Sequence, residues 1–191
     1  MKTKTKVLVT ALCAMLLVAV SVLGAMAYLT SKDTVTNTFT VGKVKITLDE
    51  VQVNPDGTAK SNSRVKANTY HLIPGHTYIK DPTVHIGENS EDCWIFVKLE
   101  NGLKAVVADA GIEAQMEANG WKLLAGTENV YAYRETVSAD DDIPVFDSFT
   151  IKGDADISAC EDAEIDVVAY AVQADGFNTA ASAWDSAAFE D

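Results

Sequence analysis

Apolar and polar residues alternate along most of the chain in short runs separated by turn residues, the pattern of strands that bury one face. Between residues 39 and 53 the apolar positions are Phe39 and Val41, then Val44, Ile46 and Leu48, then Val51 and Val53. They predict two strand stretches with Gly42 at a bulge or bend. Asn54-Pro55-Asp56-Gly57 is a strong turn signal. Residues 58–68 are polar and read as an exposed loop, after which Tyr70-His71-Leu72-Ile73 leads into a second turn at Pro74-Gly75. Further strands are predicted at residues 77–80, 83–86 and 93–100.

The pattern changes between Leu103 and Gly120. Ala, Glu and Gln become frequent, and Ile112 and Met116 stand four apart, as one face of a helix requires. Asp109 is the predicted cap and Asn119-Gly120 the predicted end. Strand patterns return at residues 121–124, 130–135, 145–151 and 164–173. An Ala-rich tail over residues 179–189 predicts a terminal helix anchored by Trp184 and Phe189. Eight or nine short strands with one inserted helix predict a mainly all-β fold, a two-sheet β-sandwich of jelly-roll type. No internal repeat or second domain is visible.

The N-terminus stands apart from this pattern. Lys2, Lys4 and Lys6 precede an apolar run from Val7 to Ala27 that closes with Ala25-Met26-Ala27. A basic segment, an apolar segment and small residues before a cut are the marks of a signal peptide. Cleavage after Ala27, leaving Tyr28 first, divides the chain into a signal peptide at 1–27 and one extracellular domain at 28–191. The alternative is an uncleaved anchor, since about 20 apolar residues also span a bilayer as a helix. Composition does not separate the two. Cys13 lies inside the apolar run, which is the wrong place for a lipidated N-terminus.

Removal of residues 1–27 leaves 12 basic against 28 acidic residues, a net charge of −16 over 164 residues. Such a surface repels nucleic acid and anionic lipid. No nucleic-acid partner is therefore expected, and contact with a membrane is confined to the N-terminal segment before cleavage. The length suits one domain with a sizeable core. There is no apolar C-terminal tail and no L-P-x-T-G motif, so a cleaved product is expected to be released or held noncovalently at the surface.

Candidate chemistry is sparse. Cys93 and Cys160 are the cysteines outside the N-terminal run, and an oxidising exterior permits them to pair. On the chain-entropy account such a bridge stabilises by roughly 4–5 kcal/mol. Two buried free thiols are the equal alternative. The run Asp154-x-Asp156-x-Ser158 resembles the start of a calcium loop, but Ala159 stands where Gly is needed and Ile165 where Glu is needed. It reads as a solvated acidic loop, as does Asp140-Asp141-Asp142. No G-x-S-x-G elbow or phosphate-binding Gly-rich loop is present. No catalytic, cofactor-binding or metal-binding residues are assigned, and no cofactor is expected.

Three blocks carry a family resemblance. The first is Ala27-Tyr28-Leu29-Thr30 with Asn37-Thr38-Phe39-Thr40-Val41-Gly42-Lys43-Val44. The second runs from Leu72-Ile73-Pro74-Gly75-His76-Thr77 to Lys80-Asp81-Pro82-Thr83-Val84, and the third is Cys93-Trp94-Ile95-Phe96-Val97-Lys98. Together they resemble the TasA/camelysin family of Gram-positive bacteria, whose precursors are processed by the dedicated signal peptidase SipW. The resemblance implies a secreted jelly-roll-like protein of the extracellular matrix or cell surface. In TasA, subunits form biofilm fibres when the N-terminal segment of one completes a sheet of the next.

The residues here are compatible with that role. Residues 28–40 are polar and β-branched with no Gly or Pro, so Thr34, Val35, Asn37, Phe39 and Val41 are the candidate donor strand. Its partner would be a second copy or another matrix protein. Equally, the segment could pair within its own domain. The camelysin branch implies a rival reading as a surface metalloprotease. A zinc hydrolase needs three converging protein ligands and a carboxylate for the proton of the bound water. The chain offers only His71, His76 and His85, with no H-E-x-x-H, and the predicted strands do not require them to converge. A cation-binding surface module is the remaining alternative.

Overall fold

The computed structural model describes residues 3, 5, 12–16, 43–108, 111–187 and 189. The chain divides into two compact units, Met1–Thr40 and Val41–Asp191. In the first, residues 12–16 are helical. Among the described residues no helix is long and apolar enough to cross a membrane.

The second unit is mainly β. Its strands are β1 (Ile46–Val53), β2 (Ala59–Val65), β3 (Thr77–Ile79), β4 (Thr83–Ile86), β5 (Cys93–Asn101), β6 (Trp121–Leu123), β7 (Val130–Tyr133), β8 (Asp142–Pro144), β9 (Ser148–Thr150) and β10 (Ile165–Gln173). Helix α1 (Ile112–Ala118) lies between β5 and β6, and α2 (Ala180–Ser186) follows β10. Two four-stranded antiparallel sheets form, in the orders β2-β1-β4-β8 and β10-β5-β7-β6. The predicted sandwich is therefore present. A separate two-stranded ribbon, β3-β9, is added to the two sheets that the sequence pattern suggests.

The main core collects Val84 and Ile86 of β4, Ile143 of β8, Ile95, Val97 and Leu99 of β5, and Tyr78 and Phe149 of the ribbon. Strand β5 is buried on both faces, because its even-numbered side faces a second cluster. There Phe96, Leu124, Val130 and Ala132 are covered by Ala183 and Trp184 of α2. This explains why residues 93–97 read as a nearly continuous apolar run. The cap of α2 is Thr179, whose hydroxyl accepts from Ser182 N at 3.2 Å.

Three expectations are corrected. Residues 58–68 are not a loop over most of their length, since 59–65 form β2, paired to β1 with Glu50 opposite Val65 and a register shift between Val51 and Val53. None of the β2 residues is buried, so no apolar alternation marks it. Backbone pairing and Arg64, which bonds Asp49 and Asp81, hold it in place. The strand expected at 145–151 is confined to β9, because residues 145–147 lie in no strand and bury Val145 and Phe146 in succession, which a two-residue alternation does not do. His71 lies in no strand; its N–H donates to Pro55 O at 2.7 Å. Gly42 and Asp109 lie outside the described residues.

Candidate functional site

The hydrogen-bond ladder fixes which way each backbone group of the sandwich margin points. Cys93 exchanges both of its backbone bonds with Val137 at 2.9 Å, so Cys93, and with it Ile95, Val97 and Leu99, faces away from β10. Consistently, Gly102 N donates to Glu164 O and Ala174 N to Asp92 O, which puts even-numbered residues of both strands in the bonding positions. The N–H and C=O groups of Ile165, Val167, Ala169, Ala171 and Gln173 therefore point to the outer edge. No strand pairs with that edge among the described residues.

A second open edge lies in β1. Gly87 N donates to Lys45 O, so Lys45, Thr47 and Asp49 face β4. Ile46 and Leu48 face the other way, where pairing with β2 begins only at Glu50. Lys66 Nζ reaches back to the Leu48 carbonyl. Strands β1 and β10 approach each other at this margin. The side chains of Ile46, Leu48, Ile165, Val167, Ala169 and Ala171 lie half-buried against the main core.

A groove of about 430 Å³ opens beside these edges, between the β1–β3 region and the segment leading into β10. Its floor contains a charge that the fold has taken out of water. Glu50 is 4% exposed, and its carboxylate accepts from Lys80 Nζ at 2.7 Å and Asn68 Nδ2 at 2.9 Å. Tyr70 closes one side and donates its hydroxyl to Ile79 O at 3.0 Å. Burial, and then the nearby carboxylates of Glu50 and Asp81, push the Tyr70 phenol well above its usual range, so it stays neutral.

Sequence reasoning did not single out Glu50, Asn68 or Lys80. A signal was present, because Glu50 continues the inward series Ile46, Leu48 by the two-residue period of a strand. A carboxylate in a core-facing position needs partners, and the turn-side Lys80 and Asn68 supply them.

The histidines do not come together. His76 Nε2 lies 2.8 Å from Asp56 O, at the turn where it was expected. His85 is on β4, with Nε2 at 2.9 Å from Asp49 and Nδ1 at 2.5 Å from Asp142. Among the described residues no group of His, Cys, Asp or Glu side chains is arranged to hold a metal ion. Asp156 accepts from Ser158 N at 3.0 Å within its own loop.

Cys93 and Cys160 are both free thiols, so the disulfide considered from the sequence is not made. Cys93 is fully buried in β5, whereas Cys160 is half-buried in a turn at the groove. The cleavage residues Ala25, Ala27 and Tyr28 and the candidate donor residues Thr34, Val35, Asn37, Phe39 and Val41 lie outside the described residues. Compared with models of protein families and with curated proteins, the sequence matches none.

Proposed function

We propose that this chain is a secreted structural subunit of a matrix or cell-surface assembly, in which subunits join by strand addition. The observation that carries the reading is the outer edge of β10, where five residues present their backbone groups to no strand among the described residues. Unpaired edges of this length are templates for another strand, and soluble proteins usually blunt them with charge, proline or a cover. The edge side of β10 instead places Val167, Ala169 and Ala171 against a half-open core. An arriving strand would gain backbone hydrogen bonds and bury apolar side chains together.

The occupant that fits is residues 28–41 of a second copy, a stretch of strand-forming composition made available by cleavage after Ala27. The acidic surface would keep unassembled subunits apart, leaving the edge as the place of attraction.

The test is size-exclusion chromatography and electron microscopy of chain beginning at Tyr28, beside its Ala169→Pro variant. Ala169 directs its N–H outward, so proline removes no bond to β5 and blocks the outer edge. Assembly of the parent and not of the folded variant supports the reading. A strictly monomeric parent at high concentration overturns it.

A further inference from the structure

One buried carboxylate, Glu50, holds a primary amine and a carboxamide side by side. Lys80 Nζ donates to Oε2 at 2.7 Å and Asn68 Nδ2 donates to Oε1 at 2.9 Å. The side chains of Lys80 and Glu50 are 12% and 5% exposed, so water has little access to either.

The amide is also oriented. Asn68 Oδ1 accepts from Val53 N at 3.0 Å, while Nδ2 donates a second bond to Val51 O at 2.8 Å. The amide oxygen thus rests on a backbone N–H, and its nitrogen is turned toward Glu50. The Tyr70 ring stands beside the cluster and packs edge-on against Tyr78 and Phe149, with centroids at 5.8 and 5.4 Å. An amine and an amide held on one buried carboxylate that can carry a proton, beside an aromatic ring, are the requirements of amide exchange.

We propose that Lys80 and Asn68 become joined by an intramolecular isopeptide bond, with Glu50 as the proton carrier. Glu50 takes a proton from the Lys80 ammonium, and the freed amine attacks Cγ of Asn68. The Val53 N–H stabilises the negative charge that develops on Oδ1. A bond forms between Nζ and Cγ. As the bond from Cγ to Nδ2 breaks, protons lost by Nζ pass through Glu50 to the departing nitrogen. The nitrogen leaves as ammonium, the Glu50 carboxylate is restored, and no oxidant or other co-reactant is needed. The product is a ring through residues 68–80 that ties the segment after β2 to the end of β3. This proposal does not depend on the strand-addition reading.

Tryptic peptide mass mapping of the folded full-length protein tests it, independently of how the N-terminus is processed. Between Lys66 and Lys98 the only tryptic site is Lys80. The bond predicts that residues 67–98 emerge as one peptide, uncut after Lys80 and lighter than its sequence by about 17 Da, the mass of ammonia. In Glu50→Gln, which preserves side-chain volume but cannot take the proton, cleavage after Lys80 and the full sequence mass are expected. The folded parent cut at Lys80, with both fragments at their sequence masses, overturns the proposal whatever the variant does. Bond formation in Glu50→Gln overturns the role of Glu50.

Discussion

His85 and Asp49 are joined diagonally across β4 and β1: His85 stands opposite Thr47 in the register, yet its Nε2 bonds the Asp49 carboxylate at 2.9 Å. Its Nδ1 meets Asp142 of β8 at 2.5 Å. Ionised carboxylates only accept, so a carboxylate at each ring nitrogen favours the protonated form of His85, which then links three strands. Burial acts to lower its pKa, and the bonds to Asp142 and Asp49 outweigh this and raise it above the ordinary 6.5.

A pH dependence follows. Because the folded pKa is the higher one, the stabilisation from His85 is complete below about pH 6.5, its unfolded value, and is lost as pH rises through the folded pKa. For Asp49, burial acts to raise the pKa, but bonds from Arg64 and His85 hold it below the ordinary 3.8. Its contribution is present above that value and lost as pH falls through the folded pKa. The site is half-exposed, so the His85 effect is about 1 kcal/mol or less. Melting temperature should decline between neutral and mildly alkaline pH, and His85→Gln should flatten that limb. An unchanged slope in the variant would show that other groups set it.

Gly57 is the residue for which substitution should be most costly for its size. It holds φ +80° in the turn after β1, and an added Cβ would come within 2.5 Å of Tyr78 Cδ1 and 2.8 Å of Tyr78 Cα. Tyr78 is fully buried, stacked on Phe149 at 5.1 Å, and has no room to yield. Gly57→Ala combines backbone strain with overpacking and should destabilise by about 2–4 kcal/mol, read from urea unfolding. A loss under about 0.5 kcal/mol would mean that the turn rearranges freely.

These cases show how unevenly the sequence discloses the structure. The Asn54–Gly57 turn, β4, β5 and the Ala-rich tail helix were legible because turn chemistry, periodicity and composition are local signals. Strand β2 was not, since an edge strand with no buried residue carries no apolar period, and its anchor Arg64 finds Asp49 and Asp81 only through the fold. The groove floor was hidden for a related reason. Glu50, Asn68 and Lys80 are ordinary residues separately, and only the placement of β1 beside the segments flanking β3 gives them one another.

The two thiols should differ sharply in reactivity. Burial pushes the Cys93 thiol up to about 11, with Asp92 and Asp141 adding to the shift, and its side chain has no exposed surface. Thiolate is the reactive form, so native protein at pH 8 should take iodoacetamide at Cys160 and leave Cys93 unmodified until denaturant is added. Mass spectrometry of the labelled peptides reads this directly. Labelling of neither cysteine without reductant, and of both in denaturant after reduction, would instead reveal a bridge between them.

On the outer face of the β10-β5-β7-β6 sheet, Trp184 is the largest side chain that α2 adds to the cover. Trp184 packs on Phe96 at 5.0 Å and on Tyr170 at 5.7 Å between ring centroids, and Phe96 is fully buried beneath it. Without the indole, Phe96 would lose the ring that covers it and come closer to water, on a face where α2 is the helix of the cluster among the described residues. Because Trp184 is itself half-buried, Trp184→Ala should cost somewhat less than a full core truncation, about 2–3 kcal/mol. It should also raise amide exchange along β5 and β7 more than along β1 and β4, which pack on the other core. Equal exchange in both sheets would show that α2 stabilises the domain as a whole and does not serve as a local cover.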